Sequence, residues 1–226
     1  IPLLFRDVFT GVDVRQKKAL PINELHMLLY KVPKSSHLRR TQAIARLMFQ
    51  LCGMPFADFA HLEKSALVHG VLRYNRIKTG TPMSVEILEA AKKAINGLRN
   101  NESSGEDCPD YLFDIIKGDK KRKEEAGYKE YQSALRRFNN QLKSLSRELH
   151  IKSPVTSYTI RHSWATSAKY QGIPIEMISE SLGHKSIKTT QTYLKGFGLE
   201  KRTEANKLNC FYVENYVTSK HQETIY

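Results

Sequence analysis

Apolar residues recur with helical spacing over most of the chain. Ile44, Leu47, Met48 and Leu51 fall at i, i+3, i+4 and i+7, with Arg39, Arg40 and Arg46 elsewhere on the cylinder, so Ser36 to Cys52 is expected to be a core helix carrying Cys52 on its buried stripe. Gly53 and Pro55 stop it, and a shorter apolar segment, Phe56 to Leu62, follows. Upstream, an extended lead-in gives way at Pro21 to a short helix with Asn23 and Glu24 in its first turn. From Ala66 to Lys78 the chain is rich in Val, Leu, Tyr and Ile, Thr79-Gly80-Thr81 forms a turn, and Met83 to Ile87 resumes the extended pattern. Two or three antiparallel strands are expected there.

Leu88, Ala91, Ala94, Ile95 and Leu98 return to helical spacing, and residues 100–109 read as a polar loop. Tyr131, Leu135, Phe138, Leu142, Leu145 and Leu149 step alternately by four and three, the seam of a long amphipathic helix with its basic residues outward. Ser157 is placed to cap a helix running to Gln171. Gly172 suits the left-handed residue after its end, and Pro174 opens a further helix that Gly183 closes. A third, starting at Ser186, carries Tyr193; beyond Gly196 to Gly198 the tail is mostly polar, with Phe211, Val213, Tyr216 and Val217 available for docking. No internal repeat or low-complexity segment interrupts this order. The fold class that follows is mainly α with a small antiparallel β-sheet.

Charge narrows the partner. The 226 residues carry 36 basic and 23 acidic side chains, a net charge of +13, which points to a polyanion. Residues 117–152 alone hold eleven basic and five acidic groups, a balance of +6, so backbone contact with nucleic acid is expected from that helix. Cys52, Cys108 and Cys210 form no C-x-x-C pair, which supports neither a disulfide framework nor a cysteine zinc site and suits a reducing, cytoplasmic compartment. No run approaches the ~18 uninterrupted apolar residues of a membrane helix, and Ile1 to Phe9 lacks the build of a secretory leader, so no membrane association is expected.

Two helices joined at Gly172 in so basic a chain fit a helix-turn-helix DNA binder, but the residue types around them suggest chemistry. Arg161, His162, Lys169, His184, Lys185, Lys188 and Tyr193 crowd one stretch with only Glu176 and Glu180 opposing them, a cluster suited to a phosphate. The run Arg161-His162-Ser163-Trp164-Ala165-Thr166, then Leu182-Gly183-His184 and Thr189-Thr190-Gln191-Thr192-Tyr193, resembles the catalytic signature of the tyrosine recombinase (phage integrase) family, including the nine-residue step from His184 to Tyr193. The resemblance extends upstream through the hairpin at Lys78-Thr79-Gly80 and the helix at 38–52, and its flavour is that of integrases of mobile elements in gut bacteria.

The resemblance implies the DNA breaking-rejoining catalytic-domain fold and a reaction on double-stranded DNA. Tyr193 would attack a scissile phosphate and form a 3′-phosphotyrosyl link, and the freed 5′-hydroxyl would later attack a partner strand, with no cofactor, metal or ATP. Arg161 would grip two non-bridging oxygens. His184 would hydrogen-bond a phosphate oxygen or assist the proton, and Lys78 would protonate the leaving 5′-oxygen. Tyr158 stands where the family commonly has a histidine and could donate a hydrogen bond to phosphate, while His162 and Trp164 are expected to be packed supports.

One departure matters most. The family's first arginine is expected in a G-x-R-x-x-E/D-like segment, and in Gly53-Met54-Pro55-Phe56-Ala57-Asp58 its place is taken by Pro55, or by Cys52 in the alternative register. Either the chain is a weakened or inactive recombinase, or Arg76 substitutes: two residues before Lys78 on one strand, it would point to the same side. The expected organisation is a linker over 1–20 leading from an N-terminal DNA-binding domain outside this chain, a catalytic domain over 21–198, and a C-terminal tail over 199–226 suited to subunit exchange. Assembly as a homotetramer on DNA sites is expected, with a monomer when alone. A type IB topoisomerase-like enzyme and a non-catalytic regulator remain alternatives, and a metal-dependent transposase is disfavoured by the lack of a spaced acidic triad.

Overall fold

The computed structural model of the chain describes residues 19–99, 110–117, 124–194 and 199–220. In chain order the elements are α1 (Ile22–Tyr30), α2 (Ser36–Gln50), α3 (Phe56–Ala60), β1 (Leu67–Val68), β2 (Val71–Asn75), β3 (Pro82–Glu86), α4 (Glu89–Leu98), α5 (Glu124–Glu148), α6 (Ser157–Tyr170), α7 (Ile175–Ser181), α8 (Ile187–Tyr193) and α9 (Leu199–Lys220). They fall into two compact units, Ile1–Tyr193 and Leu194–Tyr226.

In the first unit α2 is the central element. Its apolar stripe, with Leu47 and Met48 fully buried, meets α1, α4, α5 and α6, and the stepped leucines of α5, Leu142 and Leu145, are equally buried. Both apolar seams read from the sequence therefore face this core. Two carboxylates staple its helix entries: Glu148 accepts the backbone N–H groups of Lys34 and Ser35 at 2.5 and 3.2 Å ahead of α2, and Glu24 accepts those of Lys152 and Ser153 at 3.1 and 3.3 Å ahead of α6. Hydrogen bonds from Ser35 and Ser153, respectively, hold both carboxyls below their ordinary pKa.

Several boundaries differ from the sequence expectation. α2 ends at Gln50, and Cys52 lies beyond it at φ +56°, half-buried in a left-handed turn with Gly53 at φ +63°; it is not on the helix stripe. Met54 N–H closes that turn on the Met48 carbonyl at 3.0 Å, six residues back, and also reaches the Leu51 carbonyl at 3.1 Å. The segment expected to be strand from Ala66 to Lys78 is interrupted, because residues 64–66 form a 3-10 turn and His69 and Gly70, both at positive φ, make the tight reversal between β1 and β2. β2 stops at Asn75, so Arg76 and Lys78 do not share a strand, and alternation of faces does not relate them. The sheet order is β1-β2-β3, antiparallel throughout, with Leu72 opposite Val85 and Tyr74 opposite Met83.

Thr156, not Ser157, caps α6: its side chain and that of Thr159 bond reciprocally to each other's backbone N–H, a capping box. In the second unit the expected polar tail is helical over α9, which contains no Gly or Pro to break it. Leu208, Phe211, Tyr212 and Val213 are exposed on it, whereas the side chains of Tyr216 and Val217 lie outside the described residues, as do residues 196–198 and the segment 100–109 expected to be a loop. Among the described residues no helix is long and apolar enough to cross a membrane.

Candidate active site

Three loops and one helix bring the chemistry together. α6 presents Arg161 toward the turn that ends α2, and the close approach depends on Gly53: a Cβ there would sit 3.0 Å from Trp164 Cβ and 3.1 Å from Arg161 Cα. The Gly53 carbonyl accepts from Arg161 Nη1 at 3.1 Å. The other end of the guanidinium, Nη2, donates to the Leu182 carbonyl at 2.6 Å in the turn after α7 and lies 3.3 Å from His184 Nε2.

Arg76 reaches the same carbonyl from the opposite side. Its Nη1 donates to the Leu182 oxygen and contacts the Gly183 oxygen at 3.4 Å, so one peptide oxygen joins both guanidinium groups. Gly183 makes room for this: at φ +64°, a Cβ would meet Met83 Sδ at 2.6 Å and Arg76 Cδ at 3.0 Å. Behind Arg76, Asp58 of α3 places Oδ2 2.8 Å from Nε while Oδ1 accepts the Ile77 N–H at 2.9 Å. The Nε–H is not aligned for a hydrogen bond, so charge joins this pair more than hydrogen-bond direction does. Asp58, Arg76 and Arg161 are 3%, 6% and 4% exposed, which places the pair and the second cation in a medium where charge interactions are strong.

Electrostatics then fixes the state of His184. Burial, followed by the charges of Arg161, Arg76 and Lys78, lowers its pKa to about 4, so the imidazole is neutral at pH 7. Its Nδ1 is 2.8 Å from Thr190 Oγ1 on α8. Burial, reinforced by the Asp58 carboxylate, pushes the Tyr74 phenol above the ordinary tyrosine range, and burial raises the Cys52 thiol.

Of the residues nominated from the sequence, Arg76, Arg161 and His184 meet in this pocket. Lys78 is exposed in the turn after β2, near enough for its charge to bear on His184. Tyr158 lies one helical turn before Arg161 and is partly exposed; His162 is buried and Trp164 half-buried on the same helix. Tyr193 is the last residue of α8, and its side chain lies outside the described residues. Cys52 and Pro55 put no charge into the site, and Gly53 between them contributes a carbonyl. Sequence reasoning gives no role to Asp58, although it fills the acidic position of the G-x-R-x-x-E/D-like segment, nor to Thr190. The first carried a signal, as the one acid in the apolar run Met54 to Leu62; the second had none beyond its place three residues before Tyr193. Among the described residues no group of three or more His, Cys, Asp or Glu side chains could hold a metal ion.

Comparison with known proteins identifies the family. The model of the phage integrase family matches residues 18–197. A probable integrase/recombinase of Methanocaldococcus jannaschii is 27% identical over 196 residues, covering 83% of this chain and 56% of that protein. The tyrosine recombinase XerD of Halalkalibacterium halodurans is 41% identical over a shorter stretch of 56 residues, 25% of this chain and 19% of XerD. The chain thus spans little more than half the length of the first relative. Among solved structures, XerA recombinase superposes with a TM-score of 0.59 at 21% identity over 92% of this chain and 66% of XerA. The Tn1549 transposon integrase, solved with circular intermediate DNA, superposes at 0.57 and 15% identity over 87% of this chain and 68% of its own. Those likenesses carry the fold: a mostly helical domain with a small three-stranded antiparallel sheet. With the family model covering the core, the sheet and the whole of the pocket, the chain belongs to the phage integrase family of tyrosine recombinases.

Proposed function

We propose that this chain supplies the catalytic domain, over residues 21–198, of a site-specific recombinase that cuts and rejoins double-stranded DNA for integration or excision of a mobile element. The observation that carries the reading is the convergence of Arg76, Arg161 and His184 at the turn after α7, with His184 nine residues ahead of a tyrosine at the family's nucleophile position. Two relatives in fold, the Tn1549 and lambda integrases, were solved on DNA, which supports the same partner here.

In this reading the Tyr193 oxygen attacks the scissile phosphorus, the bond to the 5′-oxygen breaks, and a 3′-phosphotyrosyl link forms. The phosphodiester energy stays in that link, and the departed 5′-hydroxyl reverses the step on a partner strand. A phenol with an ordinary pKa near 10 and an anionic phosphate both need fixed positive charge at the transition state. Arg161 and Arg76 supply it from two sides, Arg76 standing in for the arginine missing at Cys52 and Pro55, and Lys78 donates a proton to the leaving oxygen. Tyr158 hydrogen-bonds the phosphate from the same face of α6. The basic face of α5 and the net charge of +13 hold the duplex. The segment 199–226, with Phe211 and Val213 exposed, passes between subunits in a homotetramer on two sites.

The competing reading is a weakened recombinase-like DNA-binding protein, favoured by the absent arginine alone. One experiment separates the two. The chain and its Tyr193→Phe variant are incubated with a pool of nicked duplexes of randomised core sequence and resolved on a denaturing gel. The expected result is a retarded covalent band for the chain and none for Tyr193→Phe. Retention of DNA under native conditions without a covalent band in either sample would leave only the binding protein. Gel filtration with a duplex recovered from that band tests the assembly: the expected complex holds four chains, and a complex with a single chain would overturn the tetramer.

A further inference from the structure

We infer that Thr190 is a positioning residue for the reaction: its buried hydroxyl holds His184 as the Nδ1–H tautomer, so that Nε2 meets the pocket as a proton acceptor. The inference rests on the reading of Arg161, His184 and Tyr193 given above. It begins from an asymmetry between the two ring nitrogens. Arg161 Nη2, 3.3 Å from Nε2, is a donor only, since a guanidinium has no lone pair to offer. Nε2 must therefore accept, and a neutral imidazole with an acceptor at Nε2 carries its proton on Nδ1. That proton faces Thr190 Oγ1 at 2.8 Å. A hydroxyl oxygen can accept that proton with a lone pair, the role the Nδ1–H tautomer requires of it.

Burial makes the contact exacting. Thr190 is 0% exposed, so no solvent replaces its oxygen if the side chain is changed. It also sits three residues before Tyr193, which places the two on neighbouring positions of the same helix side. The hydrogen bond thus joins the loop that carries His184 to the helix that carries the nucleophile. It also decides between the two roles open to His184. A neutral Nδ1–H imidazole cannot donate from Nε2 to a phosphate oxygen; it can take there the proton that the Tyr193 phenol gives up on attack, becoming an imidazolium that still donates from Nδ1 to Thr190.

The test uses the 226-residue chain and three variants. Imidazole 15N–1H spectra, with His184 assigned by loss of its signals in His184→Asn, report the tautomer without any DNA. The expected spectrum has a protonated Nδ1 and a bare Nε2 at pH 7, and Thr190→Val, which keeps the shape and removes the oxygen, yields a mixture of tautomers. On nicked duplexes recovered from the randomised pool, Thr190→Val lowers the rate of covalent-band formation at least about tenfold while duplex affinity stays within about twofold, and Thr190→Ser restores the rate. A proton on Nε2 in the unsubstituted chain, or a Thr190→Val rate equal to that of the unsubstituted chain, would overturn the inference. If the unsubstituted chain forms no covalent band, the recombinase reading fails, and the spectrum alone still decides what Thr190 does to His184.

Discussion

Arg161, His184 and Thr190 come from one continuous stretch of short helices and turns, whereas Arg76 and Asp58 come from a hairpin and a separate helix, and Arg76 reaches a carbonyl 106 residues away. The first group is held by hydrogen bonds to peptide oxygens and a hydroxyl; in the second, Arg76 adds a buried ion pair with Asp58 to its own bond with the Leu182 carbonyl. The difference has an energetic meaning. Removing Arg161 leaves carbonyls that lose a donor, while removing Arg76 leaves a carboxylate that is out of water and without its counter-charge. The cation contributed from a distant element thus comes with its own anion.

The largest effects should separate these halves. Arg76→Met and Arg161→Met are each expected to cut covalent-band formation by about 10²–10³, the scale for losing one transition-state donor. Their stabilities should differ: Arg76→Met strands Asp58 and should cost about 3–5 kcal/mol in urea unfolding, against about 1–3 kcal/mol for Arg161→Met. Adding Asp58→Asn to Arg76→Met should return most of the stability and none of the cleavage. Equal stability losses for the two single variants would show that the ion pair is not what holds Arg76.

Next in size are the two glycines that admit the arginines. Gly53→Ala and Gly183→Ala each put a Cβ against backbone or a packed side chain at positive φ and should cost about 1–3 kcal/mol. Gly183→Ala should lower cleavage the more, because its new methyl displaces Arg76 itself.

A smaller effect comes from His184. Its folded pKa of about 4 lies below the ordinary 6.5, so the unfolded chain binds this proton more readily. The contribution is fully present above pH 6.5 and is lost as pH falls toward 4; Tm should drop across that window, and less so in His184→Asn. Smallest is Glu148→Gln, which weakens the staple ahead of α2. The carboxyl's lowered pKa places that stabilisation above about pH 4.5 and removes it below, so the Tm difference from the unsubstituted chain should be small at pH 7 and vanish in acid.

What could be read from the residues follows the same division. The stripe of Ile44, Leu47 and Met48 and the stepped leucines of α5 are periodic over several turns, and both are core seams. The run Arg161 to Tyr193 is compact enough for spacing alone to nominate Arg161 and His184, and the structure brings them within 3.3 Å. Arg76 was nominated through a strand that ends one residue too early, and it reaches the site because Gly183 and Asp58 receive it, not because it alternates with Lys78. Contacts between distant segments leave no periodic trace. The capping box shows the limit at short range: Thr156 and Ser157 are both good caps, and the choice falls to Thr159, whose hydroxyl returns the bond. In α9 Leu208, Phe211, Tyr212 and Val213 are exposed among polar residues and mark no single apolar face, so the spacing of apolar residues carries no helical signal there.

The central claim is that Arg76 neutralises the scissile phosphate as a second guanidinium beside Arg161. Its most direct measurement compares Arg76→Ala on two nicked duplexes recovered from the pool, one with the natural phosphate and one with a neutral methylphosphonate at the scissile position. If Arg76 balances phosphate charge, the variant should cleave the methylphosphonate far faster than the phosphate, approaching the unsubstituted chain on the same duplex. A variant equally inactive on both duplexes, while still folded and binding DNA, would contradict the account.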